Sequence, residues 1–281
     1  MWFKKKKEEP REVLKITTKK GQISKIENFN SFQTRAESSI KMLMDALSLG
    51  ITNKDLSFNL HTGDFPANTI EHSNFYYCCD SKEKLDFVFP DFIFDHWRQA
   101  GIADYKSTTE QIIEAANNPF VYNKMLWIGN VQTNPIREKV ISYAEQFPEK
   151  IEAYNTAVDQ YMGGSKTNPY ISLADHTKYK YLIDIEGRGY SGRLKLLLYT
   201  RRLLFIQERQ WKSYYHFELE PYTHFIPVKN DLSDLLSQIS FVEQNGEKYY
   251  TEIANNAYQY AIKNLTYDNA INRIKKLLDN L

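Results

Sequence analysis

Two stretches of the sequence share one order of elements: an apolar strand, a polar turn and then a helix. The first is MLWIGNVQTNPIRE, residues 125–138, in which Pro135 takes the first helical position that proline favours. The second is YLIDIEGRGYSGRLKLLL, residues 181–198, which leads on to the apolar segments LLFIQE and HFIPV. Strands that alternate with helices in this way pair in parallel, so this order predicts an α/β fold.

The N-terminal part of the chain follows a different pattern. VLKITTKKGQISKI has β-branched residues on both sides of its Lys-Lys-Gly, which predicts a hairpin. Residues 31–49 carry apolar side chains at helical spacing and end at Gly50, a stop signal for a helix. LSFNL, from Leu56, alternates as a strand does.

The change of pattern near residue 118 predicts two α/β halves with a cleft between them. The first half comprises residues 1–118 and the second residues 119–265. We expect the last helix, 266–281, to pack back on the first half.

Composition narrows the classes of partner. The 281 residues include 36 Lys plus Arg and 35 Asp plus Glu, a net charge of +1, so the basic excess of a nucleic-acid-binding protein is lacking. No window approaches the roughly 20 apolar residues of a membrane span, and no signal-peptide pattern begins the chain, which predicts a cytoplasmic protein. The opening MWFKKKK sets Trp2 and Phe3 beside four lysines. Two interpretations of this segment are open: it binds anionic lipids at the inner face of a membrane, or it is a solvated terminus.

Three glycines, Gly187, Gly189 and Gly192, spell G-x-G-x-x-G between a strand and a predicted helix. Such a turn lets the backbone approach a pyrophosphate, and Glu208, about 20 residues on, would bind a ribose in a NAD site. Against a NAD site, Arg188 and Arg193 lie in or beside the turn, and acidic residues end the strand before it. A different diphosphate is therefore the alternative.

Two arginines follow the two turns. Arg193 lies just past the third glycine, and Arg137 enters a helix after the loop that contains Gly129, Asn130 and Thr133. A guanidinium can bind two oxygens of a diphosphate at once, so both turns are predicted to face one diphosphate. The alternative is that each arginine is a surface residue of its helix.

Asp184 and Glu186 have the Asp-x-acid spacing with which some sugar transferases hold Mn²⁺. Paired acids near a strand end also form salt bridges or cap helices. Because no third ligand is close in the sequence, no metal cofactor is expected.

Residues 175–235 resemble glycosyltransferase family 90, which includes Rumi-type protein O-glucosyltransferases, a fungal capsule-associated xylosyltransferase and bacterial lipopolysaccharide-modifying proteins. The resemblance rests on K-Y-K-Y-L, an acidic-Gly turn followed by Ser-x-Arg, an apolar strand, Trp-x-x-x-[FY], and H-[FY]-I-P-V-K-x-D-L, in that order.

Three upstream segments are similar to the family more loosely. LSFNLHTGDFP resembles a strand that ends in Arg-Asp-[YF]-Pro, with Gly63 where arginine is usual. FVFPDFIFDHW resembles the segment whose proline and aromatic residues line the acceptor or sugar cleft, here Phe89, Pro90 and Trp97. LWIGNVQTNPIRE resembles G-S-x-T-x-x-x-R, with Asn130 for serine and Ile128 for a basic residue.

The resemblance implies a GT-B architecture of two Rossmann-like halves and a metal-independent, inverting transfer from a UDP-sugar. It implies Asp64 as the catalytic base, whereas the residue pattern by itself favours a turn aspartate that bonds its own backbone, and His61 is the alternative base. Asp175 and His176 either orient the turn or cap the strand. The implied UDP-sugar-binding residues are Gly129, Asn130, Thr133, Arg137, Asp184, Glu186, Gly187, Gly189, Ser191, Gly192 and Arg193.

The resemblance leaves UDP-glucose, UDP-galactose and UDP-xylose as donors. Lipopolysaccharide core, a lipid-linked glycan at the inner face of the membrane, is the expected acceptor. Two rival functions are a noncatalytic nucleotide- or glycan-binding module of the same fold and a NAD-dependent dehydrogenase.

Overall fold

Two β-sheets organise the protein in the computed structural model, which describes residues 12–66, 74–156 and 171–281. The strands are β1 Val13–Lys19, β2 Gln22–Phe29, β3 Ser57–His61, β4 Asn74–Phe75, β5 Tyr122–Gly129, β6 Ile151–Asn155, β7 Tyr179–Asp184, β8 Leu203–Gln207 and β9 Ile226–Val228. The helices are α1 Gln33–Ser48, α2 Tyr105–Ala116, α3 Ile136–Gln146, α4 Leu194–Leu197, α5 Leu235–Asn264 and α6 Tyr267–Asp279. The first sheet has the order β2-β1-β3-β4 and the second β6-β5-β7-β8-β9.

The first sheet begins with the predicted hairpin. Lys20 and Gly21 have φ values of 52° and 76°, so both turn residues lie in the left-handed region that two-residue hairpin turns need. A turn this short joins only antiparallel neighbours. β1 also pairs antiparallel with β3, and β4 adds in parallel. The N-terminal sheet is therefore mixed, which differs from the expected Rossmann-like first half.

The second sheet is entirely parallel and confirms the predicted α/β class. Both of its faces are buried, as parallel sheets require. Leu126 and Leu182 pack into one core cluster, while Met125, Tyr181 and Phe205 pack into the other. The chain leaves β5 towards β6 and then crosses back to β7, so the carboxyl ends of β5 and β7 border a topological switch point.

The larger core cluster contains side chains from both halves of the chain, among them Phe58, Leu126 and Ile274. α6 packs on α1. The division into halves near residue 118 stays a prediction.

One helix is shorter than the sequence predicts, and another is bent. α4 has four residues and continues only as a 3₁₀ turn, Leu198–Thr200, and every residue of both turns is buried. α5 is bent at Gly246, whose φ of 78° and ψ of −179° are not helical. Among the described residues, no helix is both long and apolar enough to span a bilayer. The predicted membrane-docking residues Trp2 and Phe3 lie outside the described residues.

Candidate functional site

The loops after β5 and β7 meet at the switch point. The Asn130 carboxamide accepts a hydrogen bond from the Gln132 amide at 2.8 Å, and the Thr133 hydroxyl donates to the carbonyl of Asn130 at 2.9 Å. Asn134 then donates from its side chain to the carbonyl of Gly187 at 3.0 Å, which links the two loops directly. The structure thus brings together the two turns that the sequence analysis places around one ligand.

Arg137 ties these loops together. Its Nε donates to the Glu186 carbonyl at 2.8 Å, Nη1 to the Asn130 carbonyl at 2.9 Å and Nη2 to the Ile185 carbonyl at 3.1 Å. Burial, and then the nearby charge of Arg193, lower the pKa of Arg137 to about 10. A guanidinium has five N–H groups, so Arg137 retains donors for a ligand.

Arg193 and Arg209 add two further cations. Arg193 donates to the carbonyl of Ile128, and burial lowers the pKa of its guanidinium. Arg209 is fully buried and forms an ion pair of 2.7 Å with Oδ2 of Asp184. Three guanidinium groups therefore lie near two carboxylates, since the charge of Asp184 also influences Arg137 and Arg193, and that of Glu186 influences Arg137. This positive surplus at the switch point favours an anionic ligand.

Asp184 and Glu186 are held by protein groups. Both oxygens of Asp184 are occupied, since Ser191 donates to Oδ1 at 2.7 Å and Arg209 binds Oδ2. Glu186 accepts from the Asn230 side chain at 3.3 Å. Within the ranges that the structure describes, no group of three or more His, Cys, Asp or Glu side chains could hold a metal ion.

The glycines of the G-x-G-x-x-G turn have different surroundings. A Cβ on Gly189 would lie 1.7 Å from the carbonyl oxygen of Asp64, and one on Gly192 would lie 2.3 Å from Cδ1 of Ile93. A Cβ on Gly187 would lie 3.4 Å from Nη2 of Arg137, within the loops of the switch point. The last two glycines thus permit packing against the N-terminal half, and the helix that would complete a dinucleotide turn is only α4.

Asp64 follows β3 in a turn and is bound by Arg35 of α1. Nη2 of Arg35 donates to Oδ1 of Asp64 at 2.8 Å, and Nη1 donates to the Thr62 carbonyl at 2.6 Å. Burial, the largest single cause, lowers the pKa of the Arg35 guanidinium, but the charges of Asp64, Tyr190 and Tyr77 and the hydrogen bond to Asp64 together raise it above its ordinary value. The Arg35 guanidinium also lies 5.3 Å and 5.5 Å from the ring centres of Phe32 and Phe92.

Sequence reasoning missed Arg35. The available signals were the glycine at position 63, where the family pattern has arginine, and an arginine in the first turn of α1. It also missed Arg209, for which the sequence around Asp184 contains no signal.

A cavity of about 430 Å³ lies next to the turn that contains Asp64, and it is lined by Phe65, the residue after Asp64, and by Lys84, Arg188 and Trp211, among others. The rings of Phe65 and Trp211 are 23° from parallel with centroids 6.4 Å apart. The predicted cleft residues lie elsewhere: Phe89 and Pro90 are buried, and Trp97 packs on Phe92. The ring of the alternative base, His61, stacks on the ring of Tyr76, and their centroids are 4.6 Å apart.

Asp175 and His176 lie in a 3₁₀ turn, Asp175–Lys178, directly before β7, and their predicted roles stay predictions. Asp175 accepts from the Ser172 hydroxyl at 2.7 Å and pairs with Lys178 at 2.6 Å. Nδ1 of His176 lies 2.7 Å from the Ser172 carbonyl, to which it donates, and its buried Nε2 has no partner among the described residues. Burial lowers the pKa of His176 to about 4.

Comparison with known proteins gives relatives of one kind. The chain is 30% identical to protein O-glucosyltransferase 1 of Rattus norvegicus over 151 residues, 52% of this chain and 38% of that protein. It is 26% identical to protein O-glucosyltransferase 2 of Danio rerio over 84% of this chain and 50% of that protein. It is 25% identical to O-glucosyltransferase rumi of Drosophila melanogaster over 78% of this chain and 58% of that protein. The chain thus spans less than two thirds of each of these relatives.

Solved structures give weaker similarities. The C-terminal domain of LpcC, a glycosyl transferase group 1 family protein from Francisella tularensis, matches 56% of this chain and 93% of its own, with 10% identity and a TM-score of 0.36. HepE from Anabaena in complex with UDP matches 61% of this chain and 45% of its own, with 9% identity and a TM-score of 0.37. Similarities at this level add nothing to the fold described above.

A sequence model of the family described as glycosyl transferase family 90 matches residues 5–280, nearly the whole chain. This match confirms the resemblance found in the sequence. The chain belongs to glycosyl transferase family 90.

Proposed function

We propose that the chain transfers a sugar from a UDP-sugar to a hydroxyl group, with inversion at the anomeric carbon and without a metal. One observation carries this proposal: Arg137 and Arg193, from the loops after β5 and β7, lie together at the switch point with a surplus of positive charge. Ligands of open α/β sheets bind in this crevice. The negative charge of a nucleoside diphosphate would balance the positive charge of the two arginines, whose guanidinium groups can bind its oxygens.

In this mechanism Asp64 is the base. As the acceptor oxygen attacks the anomeric carbon, its proton passes to the Asp64 carboxylate and the bond to the UDP oxygen breaks. Negative charge then grows on the leaving diphosphate, where the unused N–H groups of Arg137 and Arg193 stabilise it. Asp184 positions Arg209 and Ser191, because both of its oxygens are already bonded.

The contact between Gly189 and Asp64 supports a single shared site. With no side chain at position 189, the turn after β7 lies directly against the backbone of Asp64. The base and the diphosphate-binding loops therefore belong to one connected surface.

We propose UDP-glucose as the donor, since the relatives are named O-glucosyltransferases. UDP-galactose and UDP-xylose are tested beside it.

For the acceptor we propose a glycan hydroxyl, with lipopolysaccharide core as the example expected from the sequence. The cavity beside Asp64 supports this choice, because its volume of about 430 Å³ and its two aromatic rings suit a sugar unit. We further propose that the chain acts in the cytoplasm, at the inner face of the membrane.

A thermal-shift titration tests the donor site. The chain is titrated with UDP, UDP-glucose, UDP-galactose, UDP-xylose and NADH, each with and without EDTA. A ligand at 100 times its dissociation constant stabilises the folded state by about 2.7 kcal/mol. We expect the UDP compounds to raise the unfolding midpoint equally with EDTA. A response to NADH alone would replace the proposal with a dinucleotide site, and a response to UDP that EDTA abolishes would overturn metal independence.

Replacement of the base tests the chemistry. Asp64→Asn keeps an oxygen that can accept from Arg35 but cannot take a proton. We expect transfer or donor hydrolysis to fall by about 10² to 10⁴, with the UDP-induced midpoint shift unchanged. Asp55→Asn, an exposed carboxylate on the loop before β3, is the matched control and should keep full activity. A chain that binds UDP yet never consumes any of the three UDP-sugars is a noncatalytic module.

A further inference from the structure

The arginines of the site differ in what they contact. Arg35 binds Asp64 and Arg209 binds Asp184, while Arg137 and Arg193 donate to main-chain carbonyls. The side chain of Arg188 is exposed and makes no hydrogen bond or ion pair with the residues that the structure describes. Its charge is therefore available to a ligand.

Arg188 lines the cavity beside Asp64. It directly precedes Gly189, whose backbone touches Asp64, so its guanidinium extends from the turn that abuts the candidate base. The other charges of the cavity balance each other, since Lys84 pairs with Asp80 at 2.7 Å. Asp64 itself is paired with Arg35 at 2.8 Å. Arg188 thus gives the cavity a surplus of one positive charge.

The remainder of the cavity wall combines apolar and polar side chains and comes mostly from the N-terminal half. Phe65 and Trp211 provide two nearly parallel rings, and Val88 and Phe87 extend this surface. Cavities of this size that combine apolar walls with one fixed charge bind small ligands that have an apolar face and a charged group. A sugar ring with an acidic substituent has both.

We infer that this cavity binds the acceptor and that the acceptor is a glycan unit carrying a phosphate or a carboxylate, held by Arg188. The inference rests on the proposed function and adds the chemical class of the acceptor. The sugar lies against Trp211 and Phe65, its anionic group pairs with Arg188, and a neighbouring hydroxyl faces Asp64. Arg188 selects the acceptor and takes no part in proton transfer.

Binding of three small probes to the whole chain, with UDP present at saturation, tests the inference. Ligand-observed NMR gives the dissociation constants of glucose 6-phosphate, glucuronic acid and glucose. We expect at least one anionic probe to bind about tenfold or more tightly than glucose, as a charge-assisted hydrogen bond provides. The stronger probe tells whether phosphate or carboxylate is the preferred group. Equal binding of all three probes overturns the inference.

Matched variants assign the effect to the arginine. Arg188→Gln should remove the preference for the anionic probe and leave the dissociation constant of UDP unchanged. Arg98→Gln is the control, because Arg98 is also exposed but does not line the cavity. A preference that survives Arg188→Gln overturns the inference. So does a loss of UDP affinity in that variant, because Arg188 would then bind the donor. Failure of the wild-type chain to bind UDP would instead contradict the proposed function.

Discussion

At the scale of single residues, Arg35 supplies the cation beside the candidate base. The family pattern has arginine directly before the aspartate, but this chain has Gly63 there. In the structure the guanidinium comes from α1 and binds both Asp64 and the carbonyl of Thr62. The arginine and the aspartate are separated by 29 positions in the sequence. No local pattern could predict this pair, because it depends on how α1 packs beside the turn.

We expect Arg35 to position Asp64 for proton transfer. Arg35→Gln should lower kcat by up to about 10²-fold, because a misplaced base loses its alignment with the acceptor. The dissociation constant of UDP should not change, and Arg35→Lys should restore part of kcat. Steady-state kinetics with calorimetric UDP binding provide the measurement. A rise in KM alone, with kcat intact, would contradict a positioning role.

His176 should make stability depend on pH. Its pKa is about 4 in the folded protein, below the ordinary 6.5, because the ring is buried. As pH falls from about 6.5 to 4, the unfolded chain binds a proton that the folded chain does not, so the free energy of unfolding decreases. The total contribution is about 3 kcal/mol.

His176→Gln removes this titration. Denaturant unfolding of both proteins at pH 7 and pH 4.5 should show that the advantage of the wild-type chain shrinks at the lower pH. An advantage that is the same at both pH values would mean that the ring is not buried in its neutral form.

At the scale of elements, the turn after β7 shows where local patterns succeed and where they fail. The sequence predicts the strand, the turn and the following apolar run correctly. It also predicts a longer helix than α4, because an apolar run has the same appearance in a long helix and in a short buried connection. β6 has only five residues and was not recognised, although it forms the edge of the parallel sheet.

Two glycines of this turn should respond differently to an added methyl group. In Gly189→Ala the new Cβ meets the Asp64 backbone, which cannot rotate away, whereas in Gly192→Ala it meets the end of the Ile93 side chain. We expect Gly189→Ala to lose about 1 to 3 kcal/mol and Gly192→Ala to lose less. Thermal unfolding gives the order, and activity of Gly189→Ala should fall further because Asp64 moves. Equal stability of both variants with full activity would contradict this account of the turn.

At the scale of the whole molecule, a buried ion pair joins the two halves. Lys195 of α4 donates to Oδ1 and Oδ2 of Asp91 at 2.9 Å and 2.8 Å, and its side chain is fully buried. Asp91 also accepts from the amide of Ile93. The predicted halves therefore share charged contacts as well as an apolar core. Sequence patterns predict most of the strands and helices within each half. They could not predict that both halves contribute side chains to one core.

Loss of one partner of this pair should be more costly than loss of both. Lys195→Met leaves an unpaired buried carboxylate and should lower the free energy of unfolding by about 3 to 5 kcal/mol. The double variant with Asp91→Asn should recover most of this loss. Lys178→Met breaks an exposed pair and should cost about 1 kcal/mol or less. Urea titrations measure all three, and a double variant that is no more stable than Lys195→Met would contradict the coupling.

The bend at Gly246 divides α5 into two helical segments, so two helix ends lie within it. A helix is protected most strongly in its middle and opens from its termini. Here the apolar residues Leu235, Ile239 and Val242 hold the first segment on the parallel sheet, while Ala257 and Ala261 hold the second on the larger core. Amide hydrogens beside Gly246 should therefore exchange with solvent as quickly as those at a helix terminus. We expect the two segments of α5 to open less cooperatively than the two halves of a continuous helix, although Ile253 of the second segment shares a core cluster with Ile239 and Val242 of the first.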